Sequence, residues 1–393
     1  MLKQLSIYIH YPFCEAKCGY CDFNSHVQAN IDHQKFLEAY CLELDYFAKA
    51  IGQRCVKTIF FGGGTPSLMP EFLLSGILEK IKQVFTIDKD CEITLEANPS
   101  SVEINKFASF KKIGINRLSL GIQAFNAEDL KFLERVHDLN QAIKAIEVCQ
   151  KNFDNFSFDL IYARPKQSVE SWLKELNFAL QFNTKHLSLY QLTIEKGTKF
   201  FSQYQQKKFI LPDENLASEL YLATNQMMQN HGFDNYEVSN YAQKNFQSQH
   251  NLAYWQSQEY LGIGAGAHSR ITFQGEINRR AIMMINQPNS WLKKVFEQQN
   301  AIQTDEIIEH KILVEEILIM GLRIEQGVDL KQFEKLVQQK FFEIFNLEKL
   351  QKLITDNYLV INDKNIYIPK DKWLLLNQII FEIFKAEKNN LLV

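Results

Sequence analysis

Short apolar runs alternate with amphipathic stretches along the first half of the chain. Six runs rich in β-branched and aromatic residues predict strands at 5–10, 57–61, 91–95, 116–120, 156–160 and 186–192. Apolar residues that recur every three or four positions predict helices at 34–50, 71–85, 102–112 and 169–181, with further helical stretches before about residue 152. Strands that alternate with helices pair in parallel. The pattern therefore predicts an α/β fold of six βα units, with a complete or partial barrel preferred to an open sheet.

The pattern becomes mainly helical towards the end of the chain. Helical spacing recurs at 308–320, 330–345, 347–355 and about 373–384, and a short hairpin is predicted within 359–368. Polar breaks near 286–290 and 298–300 precede this region. We therefore expect a barrel domain over 1–295, in which about 195–295 is an extension. A small, mostly helical, winged-helix-like domain is expected over 304–393.

Glycines and polar residues follow the predicted strands at one end. A cysteine-containing loop follows the first strand, and the next four strands are followed by Gly62-Gly63-Gly64, by Glu96 and Asn98, by Gln123 and by Asp159. In βα barrels the C-terminal ends of the strands form one face, where the chemistry is found. Because these residues follow the same end of neighbouring strands, they predict a single site. Each of these polar residues alone is also typical of an ordinary solvent-exposed strand end. The glycines alone are also typical of a tight turn.

Three cysteines are the most specific chemical signal. Cys14, Cys18 and Cys21 are spaced C-x3-C-x2-C directly after the first strand. Thiolates are soft ligands that bind iron–sulfur clusters and zinc. Three of them can hold a [4Fe–4S] cluster and leave one iron open for a substrate or cofactor. Zinc is the alternative, although its sites usually need a fourth ligand, for which His10 or His26 is available.

Composition narrows the class of protein. The chain has 393 residues, of which 46% are hydrophobic and 23% charged, as in globular proteins. A net charge of −3 and dispersed basic residues give no basic surface, so no nucleic-acid partner is expected. No apolar run is long enough to span a membrane, and the N-terminus lacks the pattern of a signal peptide. Cys41, Cys55, Cys91 and Cys149 are scattered, which predicts a reducing, cytoplasmic location.

The cysteine motif resembles that of the radical S-adenosylmethionine (SAM) superfamily, with Tyr20 at the family's usual aromatic position. In that family the amino and carboxylate groups of SAM chelate the open iron. One electron from the cluster then cleaves SAM to a 5′-deoxyadenosyl radical. The resemblance implies a partial (β/α)6 barrel, a [4Fe–4S] cluster, SAM, and an electron donor for the cluster as a partner.

Further motifs resemble the oxygen-independent coproporphyrinogen III oxidase group, which includes the oxidases and related heme chaperones. They lie at 8–14, 61–67, 96–99, 114–123 and 159–162. The resemblance implies SAM contacts from Tyr8, Tyr20, Gly63, Gly64, Thr65, Glu96, Gln123, Arg135 and Asp159. One departure follows Tyr162, where Ala163-Arg164-Pro165 replaces the group's usual Gly-Leu-Pro. The shape of that loop is therefore an open question.

Three features favour the chaperones over the oxidases within this group. Phe23 stands where the oxidases carry a fourth cysteine. The chain begins only seven residues before Tyr8, which we interpret as the absence of the oxidases' N-terminal extension. Residues 250–255, His-Asn-Leu-Ala-Tyr-Trp, resemble the chaperones' H-N-x-x-Y-W motif, which implies that His250 binds heme iron. Without that context, such an imidazole is more often a hydrogen-bonded structural group.

The leading hypothesis is a cytoplasmic heme chaperone of the radical SAM type, with no catalytic residue assigned. It would bind heme and transfer it to an unidentified acceptor protein, with a membrane-associated acceptor among the alternatives. The second hypothesis is a coproporphyrinogen III oxidase, which would abstract hydrogen from propionate side chains and release carbon dioxide. The third is a structural zinc protein built on a barrel scaffold.

Overall fold

A twelve-stranded sheet dominates the computed structural model, which describes residues 2–388. Its central strands are parallel and follow one another in the order β1 (Lys3–Tyr11), β4 (Arg54–Gly63), β5 (Thr86–Ala97), β6 (Arg117–Gln123), β7 (Phe156–Tyr162) and β8 (His186–Gln191). A separate pair, β2 (Phe13–Cys14) and β3 (His26–Val27), flanks the cysteine loop. The six strands predicted from apolar runs, and the α/β fold, are confirmed.

Helices connect the parallel strands and cover the outer face of the sheet. They are α1 (His33–Ile51), α2 (Glu71–Val84), α3 (Ser101–Ile104), α4 (Phe107–Ile113), α5 (Ala127–Phe132), α6 (Leu139–Asn152) and α7 (Val169–Leu180), with a 3-10 helix at Pro66–Leu68. The prediction of one helix over 102–112 is wrong, because α3 and α4 are separate. The Glu103 carboxylate of α3 accepts the Asn98 backbone N–H at 2.9 Å, which ties α3 to the end of β5.

The parallel strands form a partial barrel. β1 pairs on its outer side with β11 (Tyr260–Ile263), and β8 pairs with β10 (Asn240–Ala242), so the first and last parallel strands do not meet. Alternate side chains of a strand point to opposite faces. On β4, Ile59 and Phe61 are buried in the apolar core beneath the helices, whereas Thr58 points to the interior of the barrel. The interior is therefore polar, and the core lies between the sheet and its helices.

The extension lengthens the sheet at both edges. β9 (Asp234–Glu237) and β10 lie beside β8, whereas β11, β12 (His268–Ile271), β13 (Arg280–Met284) and β14 (Ile302–Ile307) lie beside β1. The connecting helices are α8 (Lys199–Gln205), α9 (Glu214–Asn230), α10 (Gln249–Trp255) and α11 (Pro288–Gln298). The sequence predicted no elements here, since strands of only three to six residues leave little local pattern. β14 spans the predicted domain boundary within the large sheet.

A second apolar core lies in the C-terminal part of the chain. Its elements are α12 (His310–Gly321), β15 (Val328–Asp329), α13 (Leu330–Val337), α14 (Phe341–Ile344), α15 (Leu347–Thr355), β16 (Val360–Ile361), β17 (Asn365–Tyr367), a 3-10 helix at Lys370–Leu375 and α16 (Leu376–Lys385). The predicted hairpin is confirmed, and β15 makes it three-stranded. The helix predicted over 330–345 is divided, because Gln338 ends α13 with a φ of +59°. The predicted domain limits stay predictions; residue 1 and residues 389–393 lie outside the described residues.

The loop after β7, where the sequence departs from the group's pattern, has a distinctive conformation. Ala163 has a φ of +56°, a left-handed conformation that costs a residue with a Cβ about 1 kcal/mol and that suits glycine. Arg164 is 1% exposed and pairs with Glu175 of α7 and, at 3.3 Å, with Asp129 of α5. The loop therefore combines a backbone suited to glycine with a buried cation held by two carboxylates.

Replacing Ala163 by glycine is expected to stabilise the protein. The variant Ala163→Gly removes the steric cost of the left-handed conformation, so the free energy of unfolding should rise by about 1 kcal/mol. Urea-induced unfolding measures this change. Ala223→Gly, in the middle of α9, is the control and should lower the free energy of unfolding by about 1 kcal/mol. A loss of stability in both variants would contradict the assignment of strain to Ala163.

Candidate functional site

A cavity of about 710 Å³ opens at the C-terminal ends of the parallel strands. The cysteine loop forms one wall, and the ends of β5 to β8 form the floor. The predicted site residues that line the cavity are Cys14, Cys18, Tyr20, Cys21, Gly63, Gly64, Thr65, Glu96, Gln123, Arg135 and Asp159. Two predicted site residues, Tyr8 and His250, lie outside it. The residues that the strand-end rule selected, including Glu96, Gln123 and Asp159, thus face one cavity.

Each of the three thiols in the cavity has a polar neighbour. Cys14 Sγ accepts a hydrogen bond from Thr65 Oγ1 at 3.5 Å, Cys18 Sγ accepts one from Arg135 Nη1 at 3.2 Å, and Cys21 Sγ lies 4.0 Å from Ser25 Oγ. Burial raises the pKa of the Cys14 and Cys21 thiols, so a bound metal would displace their protons. Donors of this kind stabilise thiolate sulfur.

The placement of the cysteines fits a cluster. A [4Fe–4S] cluster spreads its ligands over the corners of a cube and needs sulfurs around a space. His10, a candidate fourth ligand for zinc, has both ring nitrogens engaged, by Tyr8 Oη at 3.1 Å and by the Asn24 carbonyl at 2.9 Å. The three thiols on the cavity wall are therefore a suitable donor set for a cluster.

Segments far away in the sequence hold the cysteine loop in place. The Asn24 side chain donates to the carbonyls of Ala265 at 3.0 Å and Asn286 at 2.9 Å. On the other side, the Phe200 backbone N–H donates to the Gly19 carbonyl at 2.8 Å. A Cβ at Gly19 would lie 2.4 Å from the Phe200 ring, so this position has no room for a side chain. The extension thus fixes the loop from both ends.

The glycine-rich turn after β4 packs against the start of the cysteine loop. Gly63 has a φ of +111°, which favours glycine, and its N–H donates to Glu96 Oε2 at 3.2 Å. Gly64 donates to the Tyr11 carbonyl at 2.7 Å, and a Cβ there would lie 2.5 Å from the Phe13 carbonyl oxygen. Both N–H groups are therefore used within the protein. The glycines allow the backbone of the turn to approach the segment that carries Cys14.

Two carboxylates, Glu96 and Asp159, lie on the cavity floor. Burial raises the pKa of Glu96 to about 8, and the negative charge of Asp159 adds to this effect. Burial raises the pKa of Asp159 to about 6, against the effect of a hydrogen bond from Ser188. Both carboxyl groups therefore keep their protons to a higher pH than free carboxyl groups do. A ligand with hydroxyl donors or positive charge would favour the ionised form of both.

Arg135 connects the cysteine loop with the ends of two strands. Besides Cys18 Sγ, its guanidinium donates to Tyr20 Oη at 3.4 Å, Asn98 Oδ1 at 2.5 Å and the Gly121 carbonyl at 2.9 Å. Gln123 lies at the end of β6 with a φ of +71° and lines the same part of the cavity. These contacts make Arg135 a brace for the loop. The sequence predicted its place in the site but not this bracing role.

Tyr8 and His250 lie in the barrel interior and do not line the cavity. The His250 imidazole is 1% exposed, with Nδ1 2.7 Å from Thr58 Oγ1 and Nε2 2.9 Å from Tyr254 Oη. Its ring stacks on Phe60, with 4.9 Å between the centroids. Burial lowers the pKa of His250 to about 3, so the ring is neutral. Heme ligation by His250 would require one of these hydrogen bonds to open and stays a prediction.

Comparisons with known proteins give a consistent result. The model of the Radical SAM superfamily matches residues 8–179, and that of the HemN C-terminal domain matches residues 308–375. Heme chaperone HemW of Haemophilus influenzae is 35% identical over 396 residues, covering 98% of this chain and 99% of the relative. The chain belongs to the HemW-like family of radical SAM proteins. Radical S-adenosyl methionine domain-containing protein 1, mitochondrial, of Bos taurus is 35% identical over 365 residues, 92% of this chain and 83% of that protein.

A solved structure supports the fold of this HemW-like chain. Coproporphyrinogen III oxidase (HemN) from Escherichia coli, described as a radical SAM enzyme, superposes with a TM-score of 0.81. It is 23% identical and covers 97% of this chain and 90% of its own. At this identity the similarity shows a shared fold and carries no activity from one protein to the other. The radical SAM partial barrel and the helical C-terminal domain expected from the sequence are confirmed.

Several cavity residues of the HemW-like chain were missed by sequence reasoning. Tyr190, at the end of β8, obeys the strand-end rule that found Asp159, so that rule could have identified it. Trp373, Leu374 and Asn377 reach the cavity from the C-terminal domain, and no local pattern signals such a contact.

Among the described residues, no helix is both long and apolar enough to cross a membrane.

Proposed function

We propose that the protein is a heme chaperone of the radical SAM type. It would hold one [4Fe–4S] cluster, bind SAM beside it, and carry heme to an acceptor protein. Relatives at 35–41% identity are named heme chaperone HemW, and they support the proposal at the level of the family. The observation in the structure that carries it is a cavity that joins the three thiols to apolar side chains such as Ile161, Leu192 and Leu374 and has few cations.

The proposed roles of the residues follow from their positions. Cys14, Cys18 and Cys21 would ligate the cluster, which would supply an electron to SAM when bound. Glu96 and Asp159 would accept hydrogen bonds from hydroxyls on SAM, because both carboxylates face the same cavity as the thiols. Gln123, Thr65 and the turn at Gly63 and Gly64 would define the remaining walls. Tyr8 would support the turn from beneath, since its ring lies against Gly62.

The charges of the cavity favour a chaperone over an oxidase. Among the described lining residues, the cations are Lys17 and Arg135, whereas Asp22, Glu96, Asp159 and Glu195 are acidic. Coproporphyrinogen carries a carboxylate on every pyrrole ring and would need several arginines or lysines to pair with them. Arg135 is already engaged by the cysteine loop, and Lys17 Nζ donates to the Phe23 carbonyl at 3.1 Å. The cavity therefore suits a largely apolar ligand better than a polyanionic one.

The proposal is tested by titrating heme into the anaerobically reconstituted full chain while recording visible absorption. A saturable, stoichiometric spectral shift is expected. His250→Gln should weaken binding about tenfold or more and alter the spectrum if His250 is the ligand, by the usual effect of losing an axial donor. His186→Gln is the matched control, because His186 is an equally buried barrel histidine whose Nε2 lies 2.8 Å from Tyr236 Oη. Equal effects of the two variants would assign His250 a structural role.

Other outcomes would support the two alternatives. Failure of the intact protein to bind heme, together with SAM cleavage and loss of carbon dioxide from coproporphyrinogen III, would establish the oxidase. Zinc without iron or sulfide after reconstitution would establish the zinc protein. The acceptor protein and the electron donor are unidentified partners of the proposal. A cytoplasmic location stays a prediction from cysteine usage.

A further inference from the structure

Arg117 is a buried cation that the proposed site does not use directly. It is the first residue of β6, is 2% exposed, and points into the barrel interior beneath the cavity. Its Nη2 donates to Ser157 Oγ at 2.9 Å, and its Nε has no hydrogen-bond partner. Among the described residues, no carboxylate lies within 4.0 Å of it. A buried arginine usually has a direct carboxylate partner, so its presence here requires an explanation.

Hydrogen bonds connect Arg117 to the cavity floor. Ser157 Oγ, which accepts from Arg117, donates to Ser119 Oγ at 3.2 Å. Ser119 lines the same cavity as Asp159, which lies two residues beyond Ser157 on β7. In the sheet register, Ser119 is the neighbour of Glu96, and Arg117 lies two residues below it, beside Thr94. Two serines thus lie between the guanidinium and the level of the strands at which the carboxylates lie.

The charge of Arg117 acts on both carboxylates through the low-dielectric interior. It lowers the pKa of Glu96 and of Asp159, against the raising effect of burial, which is the larger influence on each. A direct ion pair would occupy the carboxylate oxygens and turn them away from a ligand. A cation one layer deeper stabilises negative charge and leaves the oxygens facing the cavity.

We propose that Arg117 is a positioning residue that stabilises negative charge on Glu96 and Asp159 from beneath the cavity, so that this pair binds the ribose hydroxyls and cationic groups of SAM. The inference rests on the SAM site of the proposed function. The other charged or titratable groups that face the pair are Arg135, Tyr8, Tyr190 and Tyr254. Of these, Arg135 is committed to the cysteine loop, and the tyrosines are neutral at physiological pH because burial raises their pKa.

The first test measures SAM binding to the reconstituted full chain between about pH 5.5 and 9. In the unmodified protein, affinity for SAM should increase with pH as the two carboxyl groups ionise. Arg117→Met should weaken SAM binding about tenfold at pH 7 and shift the pH dependence upward by about one unit. Arg117→Lys, which keeps the charge, should stay within about threefold of the unmodified protein. Equal weakening at every pH would indicate a structural role and overturn the proposal.

The second test needs no SAM and separates this proposal from the proposed function. Infrared spectra of the protein should show a protonated carboxyl band that disappears as the pH rises, assigned with Glu96→Gln and Asp159→Asn. Arg117→Met should move its midpoint upward by about one unit, and an unchanged midpoint would overturn the proposal. If Arg117→Met does not fold, Arg117→Gln can replace it, because glutamine also removes the charge and keeps a donor to Ser157. If the protein binds no SAM but the infrared midpoint still shifts in the variant, the role proposed for Arg117 stands and the proposed SAM site is wrong.

Discussion

Replacing Cys14, Cys18 and Cys21 together by alanine is expected to lower bound iron and sulfide by more than about tenfold after anaerobic reconstitution. The three thiols share one cavity and provide the only cysteine side chains that line it among the described residues. Without them, the remaining donors near the cavity are oxygen and nitrogen atoms that bind a cluster poorly. Iron and sulfide analysis with visible absorption measures the loss.

The scattered cysteines provide the control for this experiment. Cys41 lies on α1 outside the cavity, so Cys41→Ala should retain its cluster. Single replacements of Cys14, Cys18 or Cys21 should each lower the cluster content strongly, because a cluster held by two protein ligands is labile. Normal iron and sulfide in the triple variant would place the cluster on other ligands and contradict the assignment of these three cysteines. Zinc in the unmodified protein, lost in the triple variant, would favour the zinc alternative.

Glu175→Gln is expected to lower the free energy of unfolding by about 3 kcal/mol, because it leaves the buried Arg164 guanidinium with Asp129 as its remaining partner. The Glu175 carboxylate also accepts the Phe125 N–H at 2.7 Å, a bond that the glutamine oxygen can keep. Urea unfolding followed by tryptophan fluorescence suits the measurement. Trp172 lies on the same helix, stacked on Tyr162 with 5.1 Å between the ring centroids.

The double variant Arg164→Leu, Glu175→Gln tests whether charge is the cause. It introduces at position 164 the leucine that is usual in the coproporphyrinogen III oxidase group, and it removes both partners of the ion pair. It should therefore recover at least half of the free energy of unfolding that Glu175→Gln loses. Glu170→Gln is the surface control, since Glu170 pairs with Lys174 on the exposed face of α7. That variant should leave the unfolding midpoint unchanged. A double variant less stable than Glu175→Gln would show that packing, and not charge, dominates.

Local patterns predicted the core of the fold because each βα unit has its own apolar run followed by an amphipathic stretch. The apolar runs of β1 and of β4 to β8 are largely buried, and polar residues at the strand ends reach the common cavity. The break between α3 and α4 could not be read in this way, since apolar spacing continues across it. The strands of the extension were missed for a related reason. Each is only three to six residues long, which leaves little periodicity to detect, and four of them pair only with other strands of the extension.

The site was predicted less completely than the fold because its contacts are long-range. His250 illustrates the difference: its motif indicated a function, whereas its partner Thr58 lies 192 residues earlier and completes a closed set of hydrogen bonds. Trp373 and Asn377 reach the cavity only because the C-terminal domain packs at its edge. Arg117 lies within one of the sequence motifs that resemble the family. The role of its charge can be inferred only from the structure, which places Ser157 and Ser119 beside it.

The distant supports of the cysteine loop have a consequence for the order of events during synthesis. Asn24 and the Ala265 carbonyl that it contacts are 241 residues apart, and its second partner, Asn286, is 262 residues away. The loop therefore leaves the ribosome early, whereas its anchors emerge when roughly three quarters of the chain has been made. We expect a nascent chain to present its thiols on an unsupported loop. Metal loading should accordingly follow translation of the extension, and ribosome-bound fragments that end before residue 265 should not retain a cluster.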